Sequence, residues 1–190
     1  MRLSLVGLVL ILAACEAPSL PEPIPPLTYD HLPPIALNVA QIEVIEEYAP
    51  TLRSPNVEHL FPTSPARAIR QWAKDRLRAV GETGTARFII QDARVVETKL
   101  EKAKGLRGAF TKEQSERYDG RLQVTLEIRS ERGFRDAFAT GQADHSNTAI
   151  EGISLEDRER LFHAMTAALV DAATVELEKN IEQFLRDYLP

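Results

Sequence analysis

The chain reads as one α+β domain in the order strand-helix-strand-strand-strand-helix, an antiparallel-rich sheet with its helices packed on one face. Three observations predict this. Apolar residues alternate with period two in several strand-length stretches, two segments carry helical-period apolar faces behind Ser-based caps, and three strands follow one another between the two helices. Consecutive strands joined without intervening helices favour α+β over an alternating α/β order.

The first strand spans Ile35 to Glu46. Ile35, Leu37 and Val39 alternate with polar or small neighbours, and Ile42 and Val44 continue on the other phase. A slip of one residue predicts a bulge near Ala40-Gln41. A loop with Pro50, Pro55, Pro62 and Pro65 follows. Ser64-Pro65 opens a helix, with Ser as N-cap and Pro at the first helical position. Ile69, Trp72, Ala73, Leu77 and Val80 share one face, and Gly81 is placed to end it. Trp72 on that face reads as core, with a binding role as the alternative.

Phe88, Ile90, Ala93 and Val95 mark the next strand, again with a phase slip. In the third, Tyr118, Leu122, Val124, Leu126 and Ile128 face one way and Arg121, Gln123, Thr125, Glu127 and Arg129 the other. Ser130-Glu131-Arg132-Gly133 is a hairpin turn signal. The last strand runs from Phe134 to Asp144, and Ala137, Ala139, Gly141 and Ala143 give it a face small enough for a helix to approach closely. That helix opens at Ser154-Leu155-Glu156-Asp157, a capping box with Asp in place of Glu or Gln. Its predicted stripe is Leu161, Met165, Ala168, Ala172 and Val175, which changes phase to Leu177, Ile181, Phe184 and Tyr188. The change predicts a bend near Thr174 to Glu178, or a projecting C-terminal part.

Residues 1–14 carry one positive charge, Arg2, then a short apolar run ending in small residues. That is the layout of an export signal, and the run is too short to span a bilayer. Leu12-Ala13-Ala14-Cys15 resembles the lipobox of bacterial lipoproteins, which implies cleavage before Cys15 and covalent acylation of its thiol, palmitate-type chains included. Two or more acyl chains make anchoring stable. Cys15 is the only cysteine, so the mature domain has no disulfide, thiol nucleophile or Cys-based metal site. Glu16 in place of Asp leans toward the outer membrane over the inner. Residues 15–34, rich in proline, read as the lipidated cysteine and an extended tether, and residues 35–190 as the periplasmic domain.

Loss of residues 1–14 takes one charge from the 23 basic residues, leaving 22 against 28 acidic, a net charge of −6. That balance argues against nucleic acid as a partner. No phosphate-cradling glycine loop, nucleophile elbow or zinc spacing is present. His31, His59, His145 and His163 are scattered, and Asp144-His145-Ser146 reads as a polar turn, because neighbours on a strand point to opposite faces and cannot form a relay. His163 reads as packed or solvated, and Glu46-Glu47 as a strand end. No catalytic residue, metal site or cofactor beyond the lipid on Cys15 is assigned.

One segment stands out in charge. Lys99, Lys102, Lys104, Arg107 and Lys112 are set against Glu101 alone, with Gly105, Gly108 and Phe110 among them. A basic, glycine-hinged hairpin with apolar residues suits anionic lipid, lipopolysaccharide or a partner; the bland alternative is a solvated loop. Arg117-Tyr118-Asp119-Gly120-Arg121-Leu122 opening the alternating strand and the closing helix from Ser154, together with the lipobox, resemble the ABC-type transport auxiliary lipoproteins and the LPS-assembly lipoproteins. The resemblance implies a non-enzymatic, membrane-anchored accessory to a lipid-transport or outer-membrane assembly machine. It also implies that Ile181, Phe184 and Tyr188 dock a partner. A pilot or scaffold lipoprotein for another outer-membrane complex is the competing class, and a periplasmic hydrolase the remote one.

Overall fold

The computed structural model describes residues 23–101, 114–130 and 133–190. Their elements are β1 (Ile35–Leu37), β2 (Gln41–Glu46), α1 (Pro65–Arg76), β3 (Leu77–Ala79), β4 (Thr85–Asp92), β5 (Val95–Lys99), β6 (Gln114–Arg129), β7 (Arg135–Ile150) and α2 (Leu155–Phe184). β6 is the spine of a five-stranded sheet. β7 pairs antiparallel with it along one side, while β4 and β5 pair antiparallel with it in succession along the other. β2 lies parallel to β4, joined through α1, and β1 forms a separate parallel ladder with β3. The result is the predicted α+β domain, with a mixed, mostly antiparallel sheet and both helices on one face.

The phase slips mark where strands bend or end. The predicted strand holding Phe88, Ile90, Ala93 and Val95 is two strands. β4 shifts register between Ile90 and Asp92 and ends there, and β5 starts at Val95, with Phe88, Ile90, Ala93 and Val95 all buried. The slip at Ala40 goes further than a bulge. Asn38–Ala40 divides the predicted first strand into β1 and β2, which pair with different partners.

Ser64 caps α1, its hydroxyl accepting from Arg67 N at 3.4 Å, with Pro65 at the first position. The helix ends at Arg76 rather than near Gly81. Leu77 adopts an extended conformation and Leu77–Ala79 become β3, because β1 offers them a backbone ladder. Local periodicity is satisfied by either conformation, and the tertiary partner decides. Trp72 is fully buried against Phe88, with ring centroids 5.8 Å apart.

Ser154 caps α2, its hydroxyl accepting from Asp157 N at 3.1 Å. The helix then runs unbroken for 30 residues, about 45 Å. Its buried stripe is Phe162, Met165, Leu169, Ala173, Leu177 and Ile181. The predicted stripe was set by Val175, which is 72% exposed. With the phase corrected, no bend is needed and the C-terminal half packs on the same core.

The small face of β7 receives α2. A Cβ on Gly141 would stand 2.3 Å from the Ala173 carbonyl oxygen and 2.7 Å from the Leu177 Cβ, so only glycine allows this approach. β7 also runs six residues beyond the predicted Asp144. Asp144, Ser146 and Thr148 lie opposite Arg121, Asp119 and Arg117, and cross-strand polar pairs hold the extension. Asp144-His145-Ser146 is therefore strand, not turn. The outer edge of β7 is capped in its middle by α2: Glu176 Oε2 accepts Gln142 N–H at 2.9 Å, and Asn180 donates to the Thr140 carbonyl at 2.8 Å.

The packed domain also starts earlier than Ile35. Leu27 packs on the core, and Tyr29 is buried with its N–H donating to Asp75 Oδ2 at 2.9 Å. Burial, then Asp171 and Asp75, push the Tyr29 hydroxyl well above the usual tyrosine range.

Candidate functional site

Three regions bear on function. The first is where the chain enters the fold. Pro25 offers its carbonyl to His163 Nε2 at 2.9 Å, and Pro23, Ile24 and Pro25 form a shallow pocket with Arg160 and His163 on the second and third turns of α2. His163 thus seats the incoming chain. Arg160 is paired along the helix with Glu156.

The second region is the end of the domain where α2 begins. Lys99 closes β5, exposed and opposite Glu116, and Gln114 begins β6 opposite Ile150. Lys102, Lys104, Arg107, Phe110 and Lys112, which lie between those strands, fall outside the described residues, as do Cys15 and the export signal. Arg158 bridges the sheet and α2 here, 3.1 Å from Glu116 Oε2 and hydrogen-bonded to the Tyr118 hydroxyl. Burial and the hydrogen bond to Glu116 push that hydroxyl upward in pKa.

The third region is the opposite end, where α2 finishes. Of the three predicted docking residues, only Phe184 is openly exposed, at 55%. Ile181 is 2% exposed because it continues the buried stripe, and it contributes to the core. Tyr188 is half-buried and packed on the core, and its carbonyl accepts Asn38 N–H at 2.7 Å. Sequence reasoning missed Phe134 and Phe138, 70% and 47% exposed at the same end. Their signal was two phenylalanines flanking a stretch of otherwise small and polar residues.

Adjoining this end, the uncovered face of the sheet carries an arginine-glutamate network. The Glu127 carboxylate, almost wholly buried, accepts from Arg87 at 3.0 Å and Arg129 at 2.8 Å. Thr125 donates to Gln91 Oε1 at 2.8 Å. Arg135 lies over the Phe138 ring at 4.7 Å from its centroid.

Further along β7, Asp144, His145 and Ser146 do not form a relay. Asp144 and Ser146 share a face and His145 takes the other, and each polar partner is a static cross-strand pair. The buried Glu58 carboxylate accepts from the Tyr48 hydroxyl at 2.7 Å and from Val95 N at 3.2 Å, tying the proline-rich loop to β5. Among the described residues, no group of three or more His, Cys, Asp or Glu side chains comes together to hold a metal ion. No described helix is long and apolar enough to cross a membrane.

No family model matches the chain, and no curated protein matches it. Among solved structures, it is similar to the rare lipoprotein B of Shewanella oneidensis, at 11% identity over 75% of this chain and 95% of that one, with a TM-score of 0.37.

Proposed function

We propose that the chain is a lipid-anchored, non-enzymatic accessory to an envelope lipid-transport or outer-membrane assembly machine, held at the outer membrane and facing the periplasm. The observation that carries this reading is the direction in which the first described residues run. From Tyr29, within electrostatic reach of Asp171, through Pro25 on His163 to Pro23 beside Arg160, the backbone tracks α2 toward its N-terminus. The strand ends that bracket the basic segment, Lys99 and Gln114, lie at that same end, since Gln114 is opposite Ile150 and α2 is capped at Ser154.

The lipidated Cys15 is eight residues from Pro23, a contour of at most about 28 Å. The first described residue, Pro23, and the strand ends Lys99 and Gln114 thus share one end of the domain. This supports one membrane as the target of both the anchor and the basic segment holding Lys102, Lys104, Arg107, Phe110 and Lys112. Each Lys or Arg near an anionic surface contributes about 1 kcal/mol of attraction. In this arrangement the basic segment reads the headgroups under the domain, and the docked prolines hold that end toward them.

The test is crosslinked affinity purification of the full-length lipidated protein from membranes, with proteins and lipids identified by mass spectrometry. A variant with Lys102, Lys104 and Arg107 reversed to Glu is run beside it. Transporter or assembly subunits together with enriched anionic lipid are expected from the parent, and the lipid enrichment is expected to disappear in the variant. Recovery of bulk membrane proteins alone, with no lipid enriched, overturns the reading.

A further inference from the structure

We infer that the end of the domain remote from the tether is a docking site for a protein segment that is both apolar and acidic, centred on Arg135 and Phe138. Three of the six described phenylalanines are openly exposed, and all three belong to this end. Phe134 closes the β6–β7 turn, and Phe138 stands on the uncovered face four residues later. Phe184 ends α2 one turn beyond Asn180, whose amide holds the Thr140 carbonyl. An isolated exposed phenylalanine needs no explanation, but a group of them beside a cleft marks an interaction surface. Phe134 lines a cleft of about 540 Å³ with Val39, Gly84, Ile128, Asp136 and Tyr188, while Phe138 and Arg135 stand on the uncovered face around the β6–β7 end.

Charge selects the partner. On the uncovered face Arg87 and Arg129 are neutralised by Glu127, and Arg87 also lies 3.6 Å from Glu43. Among the described residues Arg135 has no carboxylate within ion-pair distance; its guanidinium rests on the Phe138 ring alone. A cation held in place on an aromatic ring and left unneutralised is complemented by a carboxylate from outside, flanked by apolar side chains for the phenylalanines. A second copy of this chain is not the occupant proposed, and adducts between copies are the outcome that tests this.

The bilayer is not the occupant either, and here the inference rests on the function proposed above. The chain leaves the fold beside His163, and Phe184 lies 21 residues further along α2, about 32 Å away. With the tether end toward the membrane, the patch faces the periplasm.

The experiment places the photocrosslinking amino acid p-benzoylphenylalanine at positions 134, 138 and 184 of the full-length lipidated protein in cells. A control probe sits at Val175, 72% exposed elsewhere on α2. The expected result is one protein adduct common to the three positions and missing from the control. Its crosslinked peptide, sequenced by mass spectrometry, carries Asp or Glu beside apolar residues. Arg135→Glu is expected to lower adduct yield at least tenfold with the thermal unfolding midpoint unchanged, and reversing the partner's acid to Lys to restore it. Adducts to lipid, adducts to a second copy, no adduct, or a yield unmoved by Arg135→Glu each overturn the site. Lipid adducts at these positions also overturn the tether-down orientation, whereas no adduct leaves the anchoring proposal standing.

Discussion

On the helix-covered face of the sheet, Phe88, Leu122, Leu126 and Ile128 lie under α1 and α2 and are 0–1% exposed. On the other face, with no layer above it among the described residues, Thr125 and Glu127 from the same strand are 6% and 5% exposed. The first burial is tertiary, made by side chains from distant elements filling one volume. The second is lateral, made by Arg87, Arg129 and Gln91 lying across their neighbours. Equal burial therefore has unequal consequences. A change under the helices leaves a hole or a clash that packing must absorb, while a change on the open face lets water replace what was lost.

The largest expected effect is on the covered side. Leu126→Ala should destabilise by about 3 kcal/mol in urea unfolding, the sum of lost transfer energy and an unfilled cavity. Next comes Gly141→Ala, expected to cost about 2 kcal/mol because the new methyl meets the Ala173 carbonyl, which cannot swing aside. Gly120→Ala sharpens the point. Its methyl would meet the ends of Leu169 and Met165, flexible side chains at 2.7 and 2.8 Å, so less than about half the Gly141 effect is expected. On the open face Glu127→Gln should cost only about 1 kcal/mol, since Arg87 and Arg129 are partly exposed and regain water. A loss equal to that of Leu126→Ala would break the distinction between the faces.

The smallest effect is electrostatic. The hydrogen bond from Ser146 holds the Asp119 carboxyl below the usual aspartate range; burial opposes it, and the hydrogen bond and charge of Arg117 add to the lowering. A depressed carboxylate adds stability above its unfolded pKa, and that contribution is lost as pH falls through the lower folded value. Ser146→Ala should return Asp119 toward its ordinary titration and shift the acid limb of the stability profile slightly to higher pH. Carboxyl NMR titration of parent and variant measures it.

How far the fold is legible in the sequence follows the same division. β6 is readable because its alternation is enforced by helices on one side and water on the other. Ser64 and Ser154 are readable because capping is local chemistry. The α2 stripe is misplaced by the sequence pattern because the helix is rich in Ala and Leu. Leu161, Ala168 and Val175 form a plausible seam beside the real one, and only the contacts with Gly120 and Gly141 choose between them. β3 is hidden because Leu77–Ala79 gain their conformation from β1, some forty residues earlier. The site follows the same logic. Clustered lysines and a terminal Phe184 announce themselves, whereas the pairing of Arg135 with Phe138 depends on a strand whose small residues draw attention to its other face.

The caps that Glu176 and Asn180 place on β7 have a consequence for colloidal behaviour. A 16-residue outer strand is long enough to template a foreign strand, and aggregation through such edges needs about six contiguous unpaired residues. Capping at Thr140 and Gln142 divides that length. The shorter remnant is interrupted by the extra residue Asp136 between Arg135 and Ala137, and the longer one carries Asp144, His145, Ser146 and Asn147. α2 thus acts as a built-in gatekeeper, using two polar side chains to keep copies of this sheet from polymerising edge to edge.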